Sequence, residues 1–300
     1  MQISTTTFFR QQSDNITDLK TQTAQLEEKI ATGKQISKPS DDPVAFSAIS
    51  LLKARKARLE QYEKTAQNLS QRFSSEDSVL TQVTNILTRV NELTIQASND
   101  TYSSSDRKAI AAEVTNLNSE LVSLANTKSA DGSYLFAGYL ANQKPFSTNN
   151  ELTTYHGDTG RLSLTIADDS EMEVSSSGHE VFMAVKTSGN AAKSVFEIVQ
   201  TITKKLNEGD SPSESLQDLQ FAADHVNAFH AISGARMARV NSTTEQLNAD
   251  MLATKSRLSS LEDTDIEGAI TELKQKMTSL EAAQSSFVRV SELSLFNYLK

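Results

Sequence analysis

From Leu59 to Ala97 the chain keeps a single stripe at alternating spacings of three and four: Leu59, Tyr62, Ala66, Leu69, Phe73, Glu76, Leu80, Val83, Leu87, Val90, Thr94 and Ala97. That period belongs to an α-helix with one buried face, and sustained over this length it belongs to coiled-coil-like packing. Counted from Asp42 to Ser98, such a helix would run roughly 85 Å at about 1.5 Å per residue. No compact globule wraps that length. The expected class is therefore mainly α: an elongated antiparallel bundle of long helices. Glu76 is a polar member of the stripe, a position that more often sets register than does chemistry.

Composition supports long helices and locates their interruption. The chain has only 4 Pro and 10 Gly in 300 residues, where average usage gives roughly 15 and 21. Residues that break helices are therefore scarce. Most of the glycines, Gly132, Gly138, Gly157, Gly160, Gly178, Gly189 and Gly209, fall between 132 and 209. There the period changes too. Residues 134–139 and 161–167 read as strands, 172–174 as a return strand, and 168–170 as the turn between the last two. Residues 132–189 are thus expected to form a small β-rich module set between helical arms.

Both chain ends carry heptad stripes. Ile16, Leu19, Thr23, Leu26 and Ile30 form one, ending at Gly33; Ile266, Ile270, Leu273, Met277, Leu280, Gln284 and Phe287 form the other, after a break at 263–265. Between Gly33 and the long helix, Pro39 disfavours helix at the residue before it, Asp42 can cap, and Pro43 suits a first helical turn. Further helices are predicted with Ile110, Val114, Leu117, Leu121 and Leu124, over 191–207 ended by Gly209, and from about Ser211-Pro212 with a more polar stripe running from Leu216 to Met251. The divisions that follow are 1–44 and 263–300 as terminal assembly segments, 45–131 and 190–262 as rod, and 132–189 as the outward β-rich part. Apolar stripes at both ends of a hydrophilic chain are exposed alone and buried when bundled with copies or partners, which couples folding to binding.

Several function classes are disfavoured. A net charge of −9 argues against nucleic acid or an anionic membrane as main partner, and the densest basic run, Lys53, Arg55, Lys56 and Arg58, reads as an exposed helix face. No stretch has the ~18 apolar residues of a membrane span. The opening Met1–Arg10 has no pattern of charged leader, apolar run and cleavage site, so no cleaved secretory signal is expected. Cysteine is absent, which excludes disulfides and thiolate chemistry. Gly33-Lys34 fails the phosphate-loop spacing, and no nucleophile-elbow pattern occurs. His225 and His230 stand five apart rather than the four that zinc-binding helices use, and His156 and His179 are isolated. The pairs Asp41/Asp42 and Asp168/Asp169 lie in turns, where Asp is common for backbone reasons. Tyr155-His156-Gly157-Asp158 reads as a turn leaving a strand. No catalytic, metal or cofactor site, and no enzyme activity, is expected.

Three blocks carry a resemblance. Ala31-Thr32-Gly33-Lys34-Gln35-Ile36-Ser37-Lys38-Pro39-Ser40-Asp41-Asp42-Pro43 resembles the "SGkrI…psDDP" block of the bacterial flagellin superfamily. Leu121–Thr127 with Tyr134–Tyr139 resembles its "lANt…ylFaGy" block, and Leu293–Leu299 is similar to the ending of its hook-filament junction members. The resemblance implies an exported axial protein of the flagellum whose ends are disordered in the free subunit and form coiled coil on assembly. It also implies a homo-oligomeric ring between a hook-side junction protein (hook-associated protein 1) and flagellin, a flagellar export chaperone covering 266–299, and type III export without a cleaved signal to the cell exterior. The assembly interface would then comprise Ile16, Leu19, Leu26, Ile30, Ile270, Leu273, Met277, Leu280, Phe287, Leu295, Phe296 and Leu299, with Gly33, Pro39, Asp41, Asp42 and Pro43 as the inter-helix turn motif. A short flagellin, a cytoplasmic coiled-coil scaffold and an enzyme housed in 132–189 are the competing readings. Against flagellin stand Pro39 with Pro43 and the Phe296-Asn297-Tyr298 ending.

Overall fold

The computed structural model describes residues 2–149, 152–168, 170–187 and 192–298. Its helices are α1 (Gln2–Thr32), α2 (Pro43–Ala97), α3 (Ser104–Ala125), α4 (Val195–Glu208), α5 (Ser215–Glu262) and α6 (Ile266–Tyr298). Between α3 and α4 run the short strands β1 (Phe146–Asn149), β2 (Leu152–Tyr155), β3 (Ser163–Ala167), β4 (Ser170–Glu173), β5 (Val185–Lys186) and β6 (Ala192–Lys193), with a π-helical turn at His179–Met183. The strands pair as three antiparallel hairpins, β1 with β2, β3 with β4 and β5 with β6. The chain divides into two compact units, Met1–Arg58 with Asp250–Lys300, and Leu59–Ala249.

In the Leu59–Ala249 unit the long stripe is the core. All its members are buried except Tyr62, which is half-buried. The α2 stripe is joined by Ile110, Val114 and Leu121 of α3, Ile198, Val199 and Ile202 of α4, and Leu219 and Val226 of α5. The long helices run antiparallel. Arg89 of α2 pairs with Glu113 of α3 at 2.9 Å while the Arg107 Nε donates to the Ala97 carbonyl at 3.1 Å. Likewise Thr84 Oγ1 lies 3.1 Å from Asn227 Oδ1 and Asp77 Oδ1 lies 2.8 Å from His230 Nε2, so later residues of α5 meet earlier residues of α2.

Helix ends are set by short polar side chains. Ser103 and Asp106 form a reciprocal capping box at the start of α3, and Ser194 Oγ accepts the Glu197 N–H at the start of α4. α4 stops at Gly209, whose φ of 88° suits the left-handed cap that glycine takes without a Cβ penalty. The Arg107 guanidinium closes this corner. Besides Ala97 O it donates to Gly209 O at 2.7 Å and Asn99 O at 3.5 Å.

The β-rich part has its own aromatic centre. Phe146 on β1 is fully buried. Its ring centroid lies 5.1 Å from Tyr155 on β2, 5.6 Å from Phe182 on the π-helical turn and 5.3 Å from Phe196 on α4.

Residues 134–139 are not a strand. Lys128 and Tyr134 form one isolated bridge, and the chain then turns, with Gly138 at φ 69°. Leu135, Phe136 and Ala137 are all buried, so no solvent face alternates. Their carbonyls bond irregularly: Leu135 O to Arg72, Phe136 O to the Tyr155 hydroxyl and the Gly178 N–H, and Ala137 O to the Asp158 N–H. The β1–β2 hairpin, by contrast, has no counterpart among the predicted strands, because its Ser/Thr-rich strands bury fully only Phe146 and Thr153. α4 begins at Val195 rather than 191, since Ala192 and Lys193 pair with β5 before the Ser194 cap. α5 begins at Ser215 rather than Ser211-Pro212, because Pro212–Ser215 first form a turn closed by the Ser215 N–H on Pro212 O.

Glu76 is 1% exposed, and its carboxylate accepts the Ser176 hydroxyl at 2.6 Å. Arg236 of α5 donates to the same Ser176 Oγ at 3.0 Å and to Glu173 at 3.2 Å. One turn earlier on α2, Arg72 donates to Val174 O, Ser133 Oγ and Leu135 O. This polar member of the stripe therefore pins the β-rich part onto α2 and α5. Burial pushes the Glu76 carboxyl up, and the Ser176 hydrogen bond with the Arg236 and Arg72 charges only partly offsets it. An acid raised in the folded state binds its proton more tightly there than in the unfolded chain. Its contribution thus falls as pH rises through the folded value. Glu76→Gln, which mimics the neutral acid, is expected to shift Tm more favourably relative to wild type at pH 7 than at pH 4. Thermal melts of both proteins at the two pH values check this; an equal or reversed difference would refute it.

Candidate assembly interface

In the unit formed by the chain ends, α1 and α6 lie side by side and antiparallel. The Phe9 and Phe287 rings meet edge to face at 5.7 Å near the outer end, and Lys276 Nζ donates to Gln22 Oε1 at 2.8 Å further in. On α1 the less exposed residues are Phe9, Gln12, Ile16, Leu19, Thr23, Leu26 and Ile30, and Gly33 just past its end continues the stripe. Apart from Lys29 beside Ile30, they are the helix's only protected described positions. This stripe keeps the 3-4 alternation and contains each predicted α1 residue. Thr23 is buried and spends its hydroxyl on Leu19 O at 2.8 Å.

α6 carries two adjacent stripes. Ala269, Leu273, Lys276, Leu280, Ala283, Phe287 and Ser291 form the less exposed face. Ile266, Ile270, Met277 and Val288 lie beside it and are 49%, 38%, 43% and 53% exposed. Of the predicted α6 residues, Leu273, Leu280 and Phe287 fall on the protected face; Ile270 and Met277 fall on the exposed one. Leu295 and Phe296 fall on α6 where side chains are not described, and Leu299 lies outside the described residues. Phe8, Val44, Leu51 and Leu252 add further exposed apolar surface to this unit.

The turn motif is built around its two acids. The Asp41 carboxylate accepts the Ser37 N–H at 3.0 Å and the Lys38 N–H at 2.9 Å, which hold it below the usual carboxylate range. Asp42 Oδ1 caps α2 through the N–H groups of Val44 and Ala45, and Pro43 is its first residue. Gly33, at φ 68°, turns the chain out of α1.

A polar joint at this end of the unit gave no signal in the sequence. Glu262, the last residue of α5, is 6% exposed, and its Oε1 lies 2.8 Å from both Lys34 Nζ and Lys53 Nζ. Backbone bonds reinforce it. The Gln35 N–H donates to Glu262 O at 2.7 Å, the Thr264 N–H donates to Gly33 O at 3.0 Å, and Lys34 pairs with Asp263 in an antiparallel bridge. Burial alone would raise the Glu262 carboxyl; the hydrogen bonds and charges of the two lysines outweigh it and hold it low. Both ammonium groups also sit at the C-terminal end of α5, where free helix carbonyls favour cations.

The residues that invited a chemical reading have structural roles. His225 Nε2 lies 2.8 Å from Glu180 O, and His156 Nε2 lies near the hydroxyls of Ser147 and Thr154. The Asp158 carboxylate accepts the backbone N–H groups of Tyr139, Leu140 and Gly160, bracing a turn. Asp168 accepts the Tyr62 hydroxyl, while Asp169 lies outside the described residues. Among the described residues no group of three or more His, Asp and Glu could hold a metal ion, and no helix is long and apolar enough to cross a membrane.

The profile of the bacterial flagellin N-terminal helical region matches residues 3–141, and that of the bacterial flagellin C-terminal helical region matches residues 216–299. The chain belongs to the bacterial flagellin family. Among curated relatives of this flagellin-family chain, flagellar hook-associated protein 3 of Salmonella typhimurium is 28% identical, with 99% of each chain covered. Its Escherichia coli counterpart is 27% identical, with 100% of each covered. A flagellin from Listeria innocua is 24% identical over 86% of this chain and 88% of its own. The fold matches the crystal structure of Xanthomonas campestris FlgL with a TM-score of 0.61 at 22% identity, covering 69% of this chain and 98% of that one. It matches a hook-associated protein structure from Vibrio parahaemolyticus with a TM-score of 0.67 at 17% identity, covering 74% and 100%.

Proposed function

We propose that this chain is the subunit that joins hook to filament in the bacterial flagellum, a structural axial protein rather than an enzyme. The observation that carries the reading is end-to-end correspondence with hook-associated protein 3 in two organisms, against a partial span for flagellin. The exposed stripe of α6 supports assembly through the terminal helices, since large apolar side chains at helical spacing gain most when a neighbouring helix covers them. Copies of the chain form a ring through Ile16, Leu19, Leu26, Ile30, Ile270, Leu273, Met277, Leu280 and Phe287, with Leu295, Phe296 and Leu299 continuing the interface. The ring contacts hook-associated protein 1 on one side and flagellin on the other. An export chaperone holds the C-terminal segment beforehand, and the protein reaches the cell exterior by type III export without signal cleavage.

Deleting the gene is expected to leave hooks that carry no filament, with flagellin shed into the medium. A labelled copy restoring motility is expected in one narrow band at the hook boundary. Label along the whole filament would make the chain a flagellin instead, and normal filaments in the deletion strain would end both readings.

A further inference from the structure

The β-rich part is fastened in two different ways. Phe146, Val181, Phe182 and Val185 belong to the core that begins at Val79 of α2. The β3–β4 hairpin does not: Ile166, Met172 and Val174 are buried outside that core, as are Leu59, Ala66, Leu69 and Phe73 of α2. Glu76 stands at the boundary between these two stretches of the α2 stripe. The hairpin lies over the earlier stretch and is held there by polar contacts: Tyr62 to Asp168, Arg72 to Val174 O, Arg236 to Glu173, and Arg239 to Ser170 Oγ and Glu171 O. Its base is fixed to the rest of the β-rich part by the Asp158 N–H on Ala137 O and the Gly178 N–H on Phe136 O.

The Glu76 carboxyl closes this contact. It bonds to Ser176, whereas Arg236 spends its donors on Ser176 and Glu173, and Arg72 spends its own on Val174 O, Ser133 Oγ and Leu135 O. The charged groups around it are Arg72 and Asp77 of α2, Arg236 of α5 with His230 paired to Asp77, and Glu173 and Asp131 of the β-rich part. Two guanidinium groups thus stand among three other carboxylates, with no surplus cation for a further buried anion, and burial already pushes Glu76 up. A cavity of about 510 Å³ lies alongside, lined by Leu69, Arg72, Asp131, Ser133, Leu164 and Ser175, and it gives water a polar route to the carboxyl when the hairpin lifts. We propose that the β3–β4 hairpin is a proton-operated strap, closed on α2 and α5 while Glu76 is protonated and lifted from them when the proton leaves. The main core stays folded through the change, because none of its members lies on the hairpin. Rising pH therefore frees one edge of the β-rich part without unfolding the rod.

Hydrogen exchange on the full-length, unassembled protein at pH 6 and pH 9, corrected for the intrinsic pH dependence of amide exchange, tests this. In wild type, protection of β3 and β4 is expected to fall about tenfold between the two conditions, while residues 79–97 keep theirs. E76Q and E76M, which are neutral at both pH values, are expected to hold the strap closed throughout. H230N is expected to keep the wild-type fall, which separates Glu76 from the neighbouring histidine. Infrared spectra at pH 6 are expected to show a protonated-carboxyl band in wild type that E76Q lacks. Four results would overturn the proposal: equal protection of the hairpin at both pH values in wild type, the same fall in E76Q and E76M, a fall that extends equally to residues 79–97, or its abolition by H230N. Failure of both neutral variants to fold would overturn it as well, since a neutral side chain at this position is what the closed strap holds.

Discussion

A chain trimmed to residues 45–260 is expected to remain folded and soluble yet to restore no motility to a deletion strain. The core that runs from Val79 to Val226 draws every member from the Leu59–Ala249 unit, and α1 and α6 contribute none. Trimming therefore removes the exposed stripe of Ile266, Ile270 and Met277 and the helix it flanks without opening that core. Melting followed by circular dichroism should show the main transition moving by less than about 3 °C, within what a change of ~1 kcal/mol produces in a unit of this size. A trimmed protein that joins filaments to hooks would remove the terminal helices from the assembly mechanism. The point-substitution version is milder: Gln at Leu26, Ile30, Leu273 or Leu280 should impair motility far more than it lowers that transition.

The second large effect is one of stability. Phe146→Ala removes a fully buried ring that touches Tyr155, Phe182 and Phe196, so it tears contacts from β2, the π-helical turn and α4 at once. The expected cost is about 3–5 kcal/mol. For a unit of this size that corresponds to a fall in melting midpoint of roughly 8–16 °C. A fall of under about 3 °C would mean that the four rings do not form one cooperative centre.

The helical part was readable because its signals are repetitive and local. The α2 stripe recurs without a break, Asp42-Pro43 marks its start, and Gly209 ends α4, so propensity and pattern agree. The β-rich part was not. Tyr134–Tyr139 has strand-like residues, but its carbonyls are claimed by Arg72, Tyr155 and Gly178, partners remote in sequence. β1 and β2 carry Ser and Thr, whose hydroxyls pair across the hairpin and leave no apolar alternation to detect. At the terminal pair, large apolar residues drew attention to Ile266, Ile270 and Met277. The face turned away from solvent is completed by Ala269, Ala283 and the Lys276 stem, which a hydrophobicity scan passes over. The Glu262 joint was invisible because its three charged members are spread across the chain and only folding brings them within 2.8 Å.

Arg107 binds the carbonyls of Ala97 and Asn99, at the close of α2, and that of Gly209, at the close of α4, with one planar group. The α2–α3 corner is consequently incomplete until a segment a hundred residues downstream arrives. This makes the helical hairpin a poor independent folding unit: its free energy is tied to a non-local contact, which slows formation and sharpens cooperativity. On the export route proposed above, a chain with no stable half-folded resting place acquires its shape in one step.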